Sequence, residues 1–295
     1  MKLGLKIDVD TWRGTREGVP RLTELLERRG AGASFYFSLG PDHTGRALRR
    51  IFRPGFFSKV KRTSVVEHYG VRTLLYGTLL PGPDIGRDGN AVMRGVAQRG
   101  FEVGIHCWDH VLWQDYVAAA DAAWTEREMQ LAVCRFEEIF GAAAKSWAAA
   151  GWQTNVHAAR LQQRLGLEFA SDTRGSHPFL PAWDGEHAGA PQLPTTLPTL
   201  DELIGASSDV EGDLLERTAR VRPGHVFTAH AELEGGKLAG LFESVIEGWQ
   251  AQGYDVVSLG ALYRSLDALP RHAVICGEVP GRSGRLAVQG EEIRA

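Results

Sequence analysis

Short apolar runs rich in β-branched and aromatic residues alternate with longer amphipathic runs along most of the chain. The first apolar run, Leu3–Asp8, precedes a run over Val19–Arg29 whose apolar residues recur at helical spacing and which ends before Gly30. Alternating apolar positions predict a strand, and a 3.6-residue period closed by glycine predicts a helix. The start of the chain therefore predicts a strand followed by a helix.

The same strand-then-helix unit recurs about six or seven times along the chain. For example, a predicted helix over 90–99 leads to a strand at 101–105. Another helix is predicted to start at Thr125, because Glu128 stands three residues later in a capping-box pattern. Repeated units of this kind pack as a parallel sheet covered by helices, and their number favours a closed or nearly closed barrel. The predicted fold is therefore α/β, a (β/α) barrel with about seven or eight parallel strands.

Residues 41–88, after the second predicted strand, do not follow this rhythm. Apolar and aromatic side chains are interleaved there with basic ones, which include Arg46, Arg49, Arg50, Arg53, Lys59, Lys61 and Arg62. Such an insertion is typical of an element that binds an anionic membrane surface, here through the Arg46–Arg62 region. An ordinary excursion that packs its apolar face on the barrel has the same pattern, so both interpretations stay open.

The domain prediction follows from these patterns. One barrel domain covers 1–269 and includes the insertion. Residues 270–295 are glycine-rich and charged, and form either a short hairpin or a frayed end.

Bulk composition excludes some classes of protein. The 295 residues include 43% hydrophobic and 23% charged residues, with a net charge of −3, which is ordinary for a globular protein and gives no indication of nucleic-acid binding. No apolar stretch approaches the ~20 residues of a membrane span, and the charged N-terminal strand does not resemble a signal peptide. Three cysteines without zinc-type spacing argue against a disulfide framework. We expect a cytoplasmic protein, or one that is peripheral on the cytoplasmic face of a membrane.

Several predicted strands end in residues that are suited to chemistry. In chain order these residues are Asp8, Asp10, His106, His110, Asp172 and His230. The carboxyl ends of the strands of a βα barrel converge on one face, where such enzymes keep their active sites. The convergence, rather than any single residue, indicates a site.

The spacing within this set favours a bound cation. Asp8 and Asp10 point the same way from one strand and crowd each other unless a cation lies between them. The alternative is a strand end where one aspartate caps the next turn and the other pairs with Arg13 or Arg16. The two histidines of "HCWDH" (106–110) can reach one metal if the loop makes a helical turn, with a carboxylate of the first strand as third ligand. Such a set accepts zinc, manganese, cobalt or iron(II). Non-haem iron oxygenases use the same ligands, but the βα rhythm is not typical of them.

Three motifs resemble those of the metal-dependent polysaccharide deacetylase family, which has a chitin-deacetylase-like barrel. They are "DVD" at 8–10, "HCWDH" at 106–110 and "TAH" at 228–230. The resemblance implies a divalent metal ion, zinc, manganese or cobalt, held by Asp10, His106 and His110. It also implies a general base, a general acid and a residue that orients the acid, which are Asp8, His230 and Asp172.

A wider set of motifs, with "IDVDTWRGTREGVPRL", "AAAGW", "SDTRG", "PTTLPT" and "TAHAE", resembles a branch of this family that removes a formyl group from a lipid-linked amino sugar. This resemblance covers nearly the whole chain. It implies a lipid-linked formamido sugar as substrate and a role in lipid A modification and polymyxin resistance. The alternatives are a deacetylase of another N-acylated sugar and a catalytically inactive barrel that binds lipid or sugar.

The chain departs from the family at the motif that braces the base. Many members have an arginine there, whereas this chain has "AAAGWQ" at 148–153. We hypothesise that Arg13 or Arg174 braces Asp8 instead.

Three indoles within or beside the motifs predict a cramped acyl pocket that prefers formyl to acetyl. They belong to Trp12, Trp108 and Trp152. The alternative is that these rings only pack the rim of the barrel.

Overall fold

A parallel sheet of seven strands forms the centre of the structure. The computed structural model describes residues 1–47, 70–220 and 223–293. Its strands are β1 (Lys2–Val9), β2 (Ser34–Ser38), β3 (Glu102–Cys107), β4 (Ser146–Trp147), β5 (Phe169–Ala170), β6 (Leu180–Trp183), β7 (Glu186–His187), β8 (Val226–His230), β9 (Asp255–Val257), β10 (Arg271–Glu278) and β11 (Arg285–Glu292). The central sheet has the order β5-β4-β3-β2-β1-β8, and β9 also pairs with β1. All of these pairings are parallel.

The sheet curls into a half-barrel. In the described part of the chain, β5 lies at one end of the strand order and β8 lies at the other. The expected α/β fold with parallel strands is therefore confirmed, with seven strands in the described part of the chain. β1 lies between β2 and β8, and its Leu3, Leu5 and Ile7 are fully buried. The alternate positions Lys6 and Asp8 are buried as well. A charged side chain that is buried in a central strand requires an ion-pair or hydrogen-bond partner.

Helices pack against this sheet. They are α1 (Val19–Arg29), α2 (Ile85–Asp88), α3 (Asn90–Gln98), α4 (His110–Tyr116), α5 (Ala122–Phe140), α6 (Val156–Arg164), α7 (Leu200–Leu203), α8 (Val210–Ala219), α9 (Ala239–Ala251) and α10 (Leu259–Tyr263). The first agrees with its prediction and ends at Gly30, whose φ of 61° is left-handed. The prediction that α5 starts at Thr125 was wrong, because Asp121 caps the helix four residues earlier by accepting a backbone N–H from Trp124.

A second sheet of four strands was not predicted. Its order is β11-β10-β6-β7, in which β10 and β11 form an antiparallel hairpin and β10 runs parallel to β6. The hairpin, rather than a frayed end, thus accounts for 271–292. The backbone of Arg174, after β5, donates to Ala287 and accepts from Gln289 of the hairpin. The hairpin therefore packs against a loop at the carboxyl ends of the central strands.

Much of the predicted insertion 41–88, including all its basic residues from Arg49 to Arg62, lies outside the described residues. The part after the gap includes a short 3₁₀ turn at Thr73–Leu75. Among the described helices, none combines the length and hydropathy of a segment that crosses a bilayer.

Candidate active site

The carboxyl ends of β1, β3 and β8 bring predicted site residues together. Asp8 lies opposite His230 in the pairing of β1 with β8. His106 is near the end of β3, and His110 begins α4 just beyond it. Asp109 caps α4 with its side chain, which produces the helical turn that the spacing of the two histidines requires.

Asp10, His106 and His110 form a compact cluster. Asp10 Oδ1 lies 3.2 Å from His106 Nε2, and Asp10 Oδ2 lies 3.4 Å from His110 Nε2. One possible ligand atom from each residue lies within 4.8 Å of the others. Asp10 and His106 are buried, and His110 is half-buried. The cluster is thus enclosed on one side and accessible on the other.

The donor atoms of this cluster fit a cation. His106 Nδ1 lies 2.6 Å from the Ala148 carbonyl oxygen, which can only accept, so Nδ1 carries the proton. In the neutral ring, Nε2 then presents a lone pair to Asp10 Oδ1, a buried oxygen without a hydrogen-bond partner among the described residues. Two lone pairs that face each other repel unless positive charge lies between them. A carbonyl on the far ring nitrogen is also how proteins orient a histidine that binds metal.

Charge interactions within the cluster shift its ionisation. Burial alone would raise the pKa of Asp10, but the imidazoles of His110 and His106 outweigh burial and lower it. Burial would lower the pKa of His106, whereas Asp8 and Asp10 raise it. The site therefore favours the ionised form of Asp10 next to positive charge.

A buried lysine supplies a cation beside Asp8. Lys6 Nζ lies 3.2 Å from Asp8 Oδ2, and it donates to the Ser171 carbonyl at 3.4 Å. Burial lowers the pKa of Lys6, and Asp8 opposes that shift. The other carboxylate oxygen, Asp8 Oδ1, is buried without a hydrogen-bond partner among the described residues and lies 3.8 Å from His106 Nδ1. Lys6 thus holds one oxygen of Asp8 and leaves the second uncommitted.

The arginines that we expected to brace Asp8 pair with other carboxylates. Arg13 Nε lies 3.1 Å from Glu17 Oε2, and Arg174 Nη1 lies 2.5 Å from Glu202 Oε1. The cation that the structure pairs with Asp8 is the lysine of β1, and a bracing role for Arg13 or Arg174 stays a prediction.

Asp172 is buried behind the site, and its hydrogen-bond partners do not include His230, which it was expected to orient. Its Oδ1 accepts from the backbone N–H of Ala149 at 2.9 Å. Its Oδ2 accepts from the amides of Gln162 at 2.7 Å and Gln192 at 3.2 Å. Burial raises the pKa of Asp172, and these donors oppose the rise. The carboxylate thus fixes the backbone after β4, which differs from the implied role of orienting His230.

His230 is fixed through its backbone by Glu234, which sequence reasoning missed. The His230 N–H donates to Glu234 Oε2 at 2.7 Å. Burial raises the pKa of Glu234 to about 8, and this donated hydrogen bond opposes the rise. His230 Nδ1 is buried without a hydrogen-bond partner in the described part of the chain. The spacing of four residues between His230 and Glu234 is the only signal in the sequence that could have suggested the pair.

A second missed glutamate holds the turn that carries Asp10. Glu232 Oε1 accepts from the backbone N–H groups of Asp10 at 3.1 Å and Thr11 at 2.8 Å. Burial, followed by the charge of Asp10, raises the pKa of Glu232 well above its usual value. Gly14 leaves room for this carboxylate, because a Cβ there would lie 2.0 Å from Glu232 Oε1.

The three tryptophans occupy different positions. Trp152 is buried, and its ring stands edge-on to His230 with the centroids 6.3 Å apart. Trp108 packs against the guanidinium of Arg135 at 5.2 Å, and Trp12 is half-buried against the core. Trp152 therefore forms a wall beside the predicted acid.

Comparisons with known proteins found relatives by sequence and by structure. No family model matches the chain. A protein of Shewanella sediminis (strain HAW-EB3), "Probable 4-deoxy-4-formamido-L-arabinose-phosphoundecaprenol deformylase ArnD", is 36% identical over 296 residues, which cover 99% of this chain and 96% of that protein. A protein of the same name from Wigglesworthia glossinidia brevipalpis is 29% identical over 286 residues, which cover 95% of this chain and 100% of that protein. The crystal structure of a probable polysaccharide deacetylase from Pseudomonas aeruginosa PAO1 matches with a TM-score of 0.56 at 15% identity, covers 89% of each chain and shows a shared fold.

Proposed function

We infer that this chain, which belongs to the family of 4-deoxy-4-formamido-L-arabinose-phosphoundecaprenol deformylases, removes the formyl group from undecaprenyl-phosphate-linked 4-deoxy-4-formamido-L-arabinose. It is a metal-dependent hydrolase of a linear amide. The products are formate and a free 4-amino sugar on its lipid phosphate, which serves the modification of lipid A and polymyxin resistance. The observation that carries this function is the Asp10, His106 and His110 cluster next to Asp8 and His230.

Asp10, His106 and His110 would hold a divalent metal ion. When bound, the ion lowers the pKa of water and polarises the formamide carbonyl. Zinc, manganese and cobalt all suit two imidazoles and one carboxylate.

We assign Asp8 as the general base and Lys6 as the residue that positions it. Lys6 holds Asp8 Oδ2, so Oδ1 keeps a fixed direction and an uncommitted lone pair. A base must lie within hydrogen-bond reach of the proton that it takes, and a pinned carboxylate meets this condition best. Asp8 Oδ1 accepts a proton from the attacking water.

We assign His230 as the general acid. An amine leaves a tetrahedral carbon slowly unless its nitrogen is protonated, so the reaction needs a donor on that side. Glu234 fixes the backbone of His230, and Trp152 stands beside its ring. The imidazole donates its proton to the departing amine.

Asp172 supports the same site through the backbone. It binds the N–H of Ala149, and the carbonyl of the preceding Ala148 orients His106. We therefore propose that Asp172 positions a metal ligand rather than the acid.

We propose that Trp152, with Trp12 and Trp108 nearby in the motifs, restricts the acyl pocket so that formyl is preferred to acetyl. Burial of Trp152 beside His230 supports a rigid wall at the reacting carbon. A hydrophobic wall that excludes one methyl group gives only ~1–3 kcal/mol of discrimination, so we expect the preference to be partial.

We further propose that the insertion binds an anionic membrane surface, on the cytoplasmic face of the inner membrane. Val71 is 64% exposed and Leu79 is 80% exposed, and the basic Arg46 donates to the carbonyl of Gly77 at 3.0 Å. Apolar side chains beside basic ones are typical of peripheral membrane contacts, in which each basic residue contributes about 1 kcal/mol. A polyprenyl substrate remains in the bilayer, so the enzyme has to work at that surface.

The surface proposal is tested by replacing Val71 and Leu79 with Ser. Co-sedimentation with vesicles that contain anionic lipid should fall, because the exposed apolar area is lost. Leu131→Ser is the matched control, since Leu131 is an exposed leucine on α5 (41%). Equal vesicle binding by all three proteins would contradict the proposal.

The function is tested by formate and acetate release from matched lipid-linked formamido- and acetamido-arabinose. Metal-loaded wild-type protein should release formate faster than acetate, and Asp8→Asn should lower the rate by about 10²–10⁴-fold because the base is lost. His187→Ala, which changes an exposed histidine, should have no effect. Acetate release alone would instead indicate a deacetylase, and release of neither product would contradict the proposed function.

A further inference from the structure

Trp152 has a backbone conformation that its surroundings must maintain. Its φ is 53°, and the preceding Gly151 has a φ of 62°. A bulky residue in the left-handed region is strained and persists only where other contacts determine it. The indole Nε1 donates to Thr195 Oγ1 at 3.0 Å. The position of the ring therefore depends on what packs around it.

Three cationic side chains surround this indole. The distances to the ring centre are 5.2 Å for Lys6 Nζ, 5.0 Å for the Arg174 guanidinium and 4.7 Å for the Arg282 guanidinium. The face of an indole attracts cations, and most strongly where the site is shielded from water. Arg282 is the nearest of the three, and it comes from the turn between β10 and β11.

Arg282 is itself held at the start of α7. Its Nε lies 2.5 Å from Glu202 Oε1, and its Nη2 donates to Thr199 Oγ1 at 2.8 Å and to Asp201 Oδ1 at 3.1 Å. The preceding Gly281 has a φ of 83°, and a Cβ there would meet Glu202 at 3.0 Å. The hairpin turn thus approaches α7 closely enough to fix the guanidinium in one place.

We propose that Arg282 is a positioning residue for the hydrolysis, which acts through Trp152 on the acyl pocket beside His230. The guanidinium holds the indole in its strained position, edge-on to His230. Without Arg282 the backbone at Trp152 relaxes, the wall moves, and the pocket discriminates less well between formyl and acetyl. This inference rests on the proposed function, because the acyl group is the part of the substrate that the wall meets.

The test is a double-mutant cycle with Arg282→Met, Trp152→Leu and both together. Arg282→Met should lower kcat/KM for the formamide substrate about tenfold or more, since a small displacement near the reacting atoms has effects of this size. The ratio of formyl to acetyl hydrolysis should fall with it, and Arg282→Lys should recover part of the loss. In the Trp152→Leu background, Arg282→Met should cause no further loss. Arg285→Met is the matched control, because Arg285 donates to the Cys276 carbonyl within the same hairpin.

A second readout does not depend on activity. Hydrogen exchange of the backbone at 150–153 should be faster in Arg282→Met and unchanged in Arg285→Met, and affinity for Mn²⁺ should be the same in all variants. Equal loss from Arg282→Met with and without Trp152, or unchanged exchange at 150–153, would overturn the proposal. If the wild-type protein releases acetate and no formate, the proposed substrate fails, while the cycle on acetate and the exchange rates still decide the role of Arg282.

Discussion

The candidate site has two sides that are built in different ways. The metal side (Asp10, His106 and His110) comes from two short motifs, at the carboxyl ends of β1 and β3. The tryptophan side (Trp152 and the cations around it) gathers side chains from positions 6 to 282, which belong to no common motif. A short motif describes a site that one or two elements form. A site that distant loops form together leaves no such trace in the sequence.

The largest effect is expected on the metal side. His106→Ala removes a proposed ligand whose Nδ1 is already fixed by the Ala148 carbonyl. Affinity for metal should fall by more than about a hundredfold, since loss of a mere supporting partner already costs 10–100-fold. The measurement is metal content after dialysis, with Mn²⁺ calorimetry, and His187→Ala as control. Retention of metal at wild-type affinity would show that the ligands lie elsewhere.

A smaller effect is expected where the two sides meet, at Lys6. Lys6→Met should lower kcat about a hundredfold, because Asp8 loses the contact that directs it. Metal affinity should change much less, since Lys6 contacts Asp8 and the Trp152 ring rather than a ligand. The variant should also lose stability, by about 3–5 kcal/mol, because it leaves a buried carboxylate unpaired.

Two further variants serve as controls for Lys6→Met. Lys2→Met changes a lysine at the other end of β1, which donates to the Ala261 carbonyl, and it should leave kcat unchanged. Lys6→Arg keeps the charge and should retain more activity than Lys6→Met. A normal kcat in folded Lys6→Met would mean that Asp8 needs no positioning lysine.

The smallest effect concerns stability alone, at Glu234. Burial raises its pKa to about 8, Asp201 adds to the rise, and Arg282 opposes it. Above the usual pKa of a glutamate the unfolded chain releases a proton that the folded protein keeps, so stability falls as the pH rises towards 8. Glu234→Gln removes this dependence. The free energies of unfolding of the two proteins should therefore diverge between pH 5 and pH 8 in favour of the variant, by on the order of a few kcal/mol at most, and the melting temperatures should diverge in the same direction.

The control for this comparison is Glu291→Gln, which changes an exposed glutamate of β11. Its melting temperature should follow the wild type at every pH. Parallel curves for Glu234→Gln and the wild type would show that Glu234 is ionised in the folded protein at neutral pH.

The metal side could be predicted because local rules are sufficient there. Each proposed ligand lies at or just beyond the carboxyl end of a strand, and the ends of parallel strands meet at one edge. The same reasoning gave the central sheet. It could place Asp172 near the site, but it could not tell which way the carboxylate points, since Gln162 and Gln192 have no motif that reveals them.

The contacts of the tryptophan side could not be predicted from the sequence, for physical reasons. Lys6 shares a face of β1 with Asp8, so strand alternation could have found it, but a charge within a buried strand looks like a break in the apolar pattern. The contact of Arg282 with Trp152 depends on the second sheet. That sheet joins β10 to β6, a strand of only four residues that contains Pro181 and gives little periodic signal.

The placement of Arg282 in the hairpin sets an order of events during translation. About 130 residues separate it from Trp152, which correspond to roughly ten seconds of synthesis at typical rates. In that interval a nascent chain already has all three metal ligands, but it lacks the guanidinium that secures the indole. Selectivity for the acyl group, as we propose it, is therefore among the last properties of the site to be completed during synthesis.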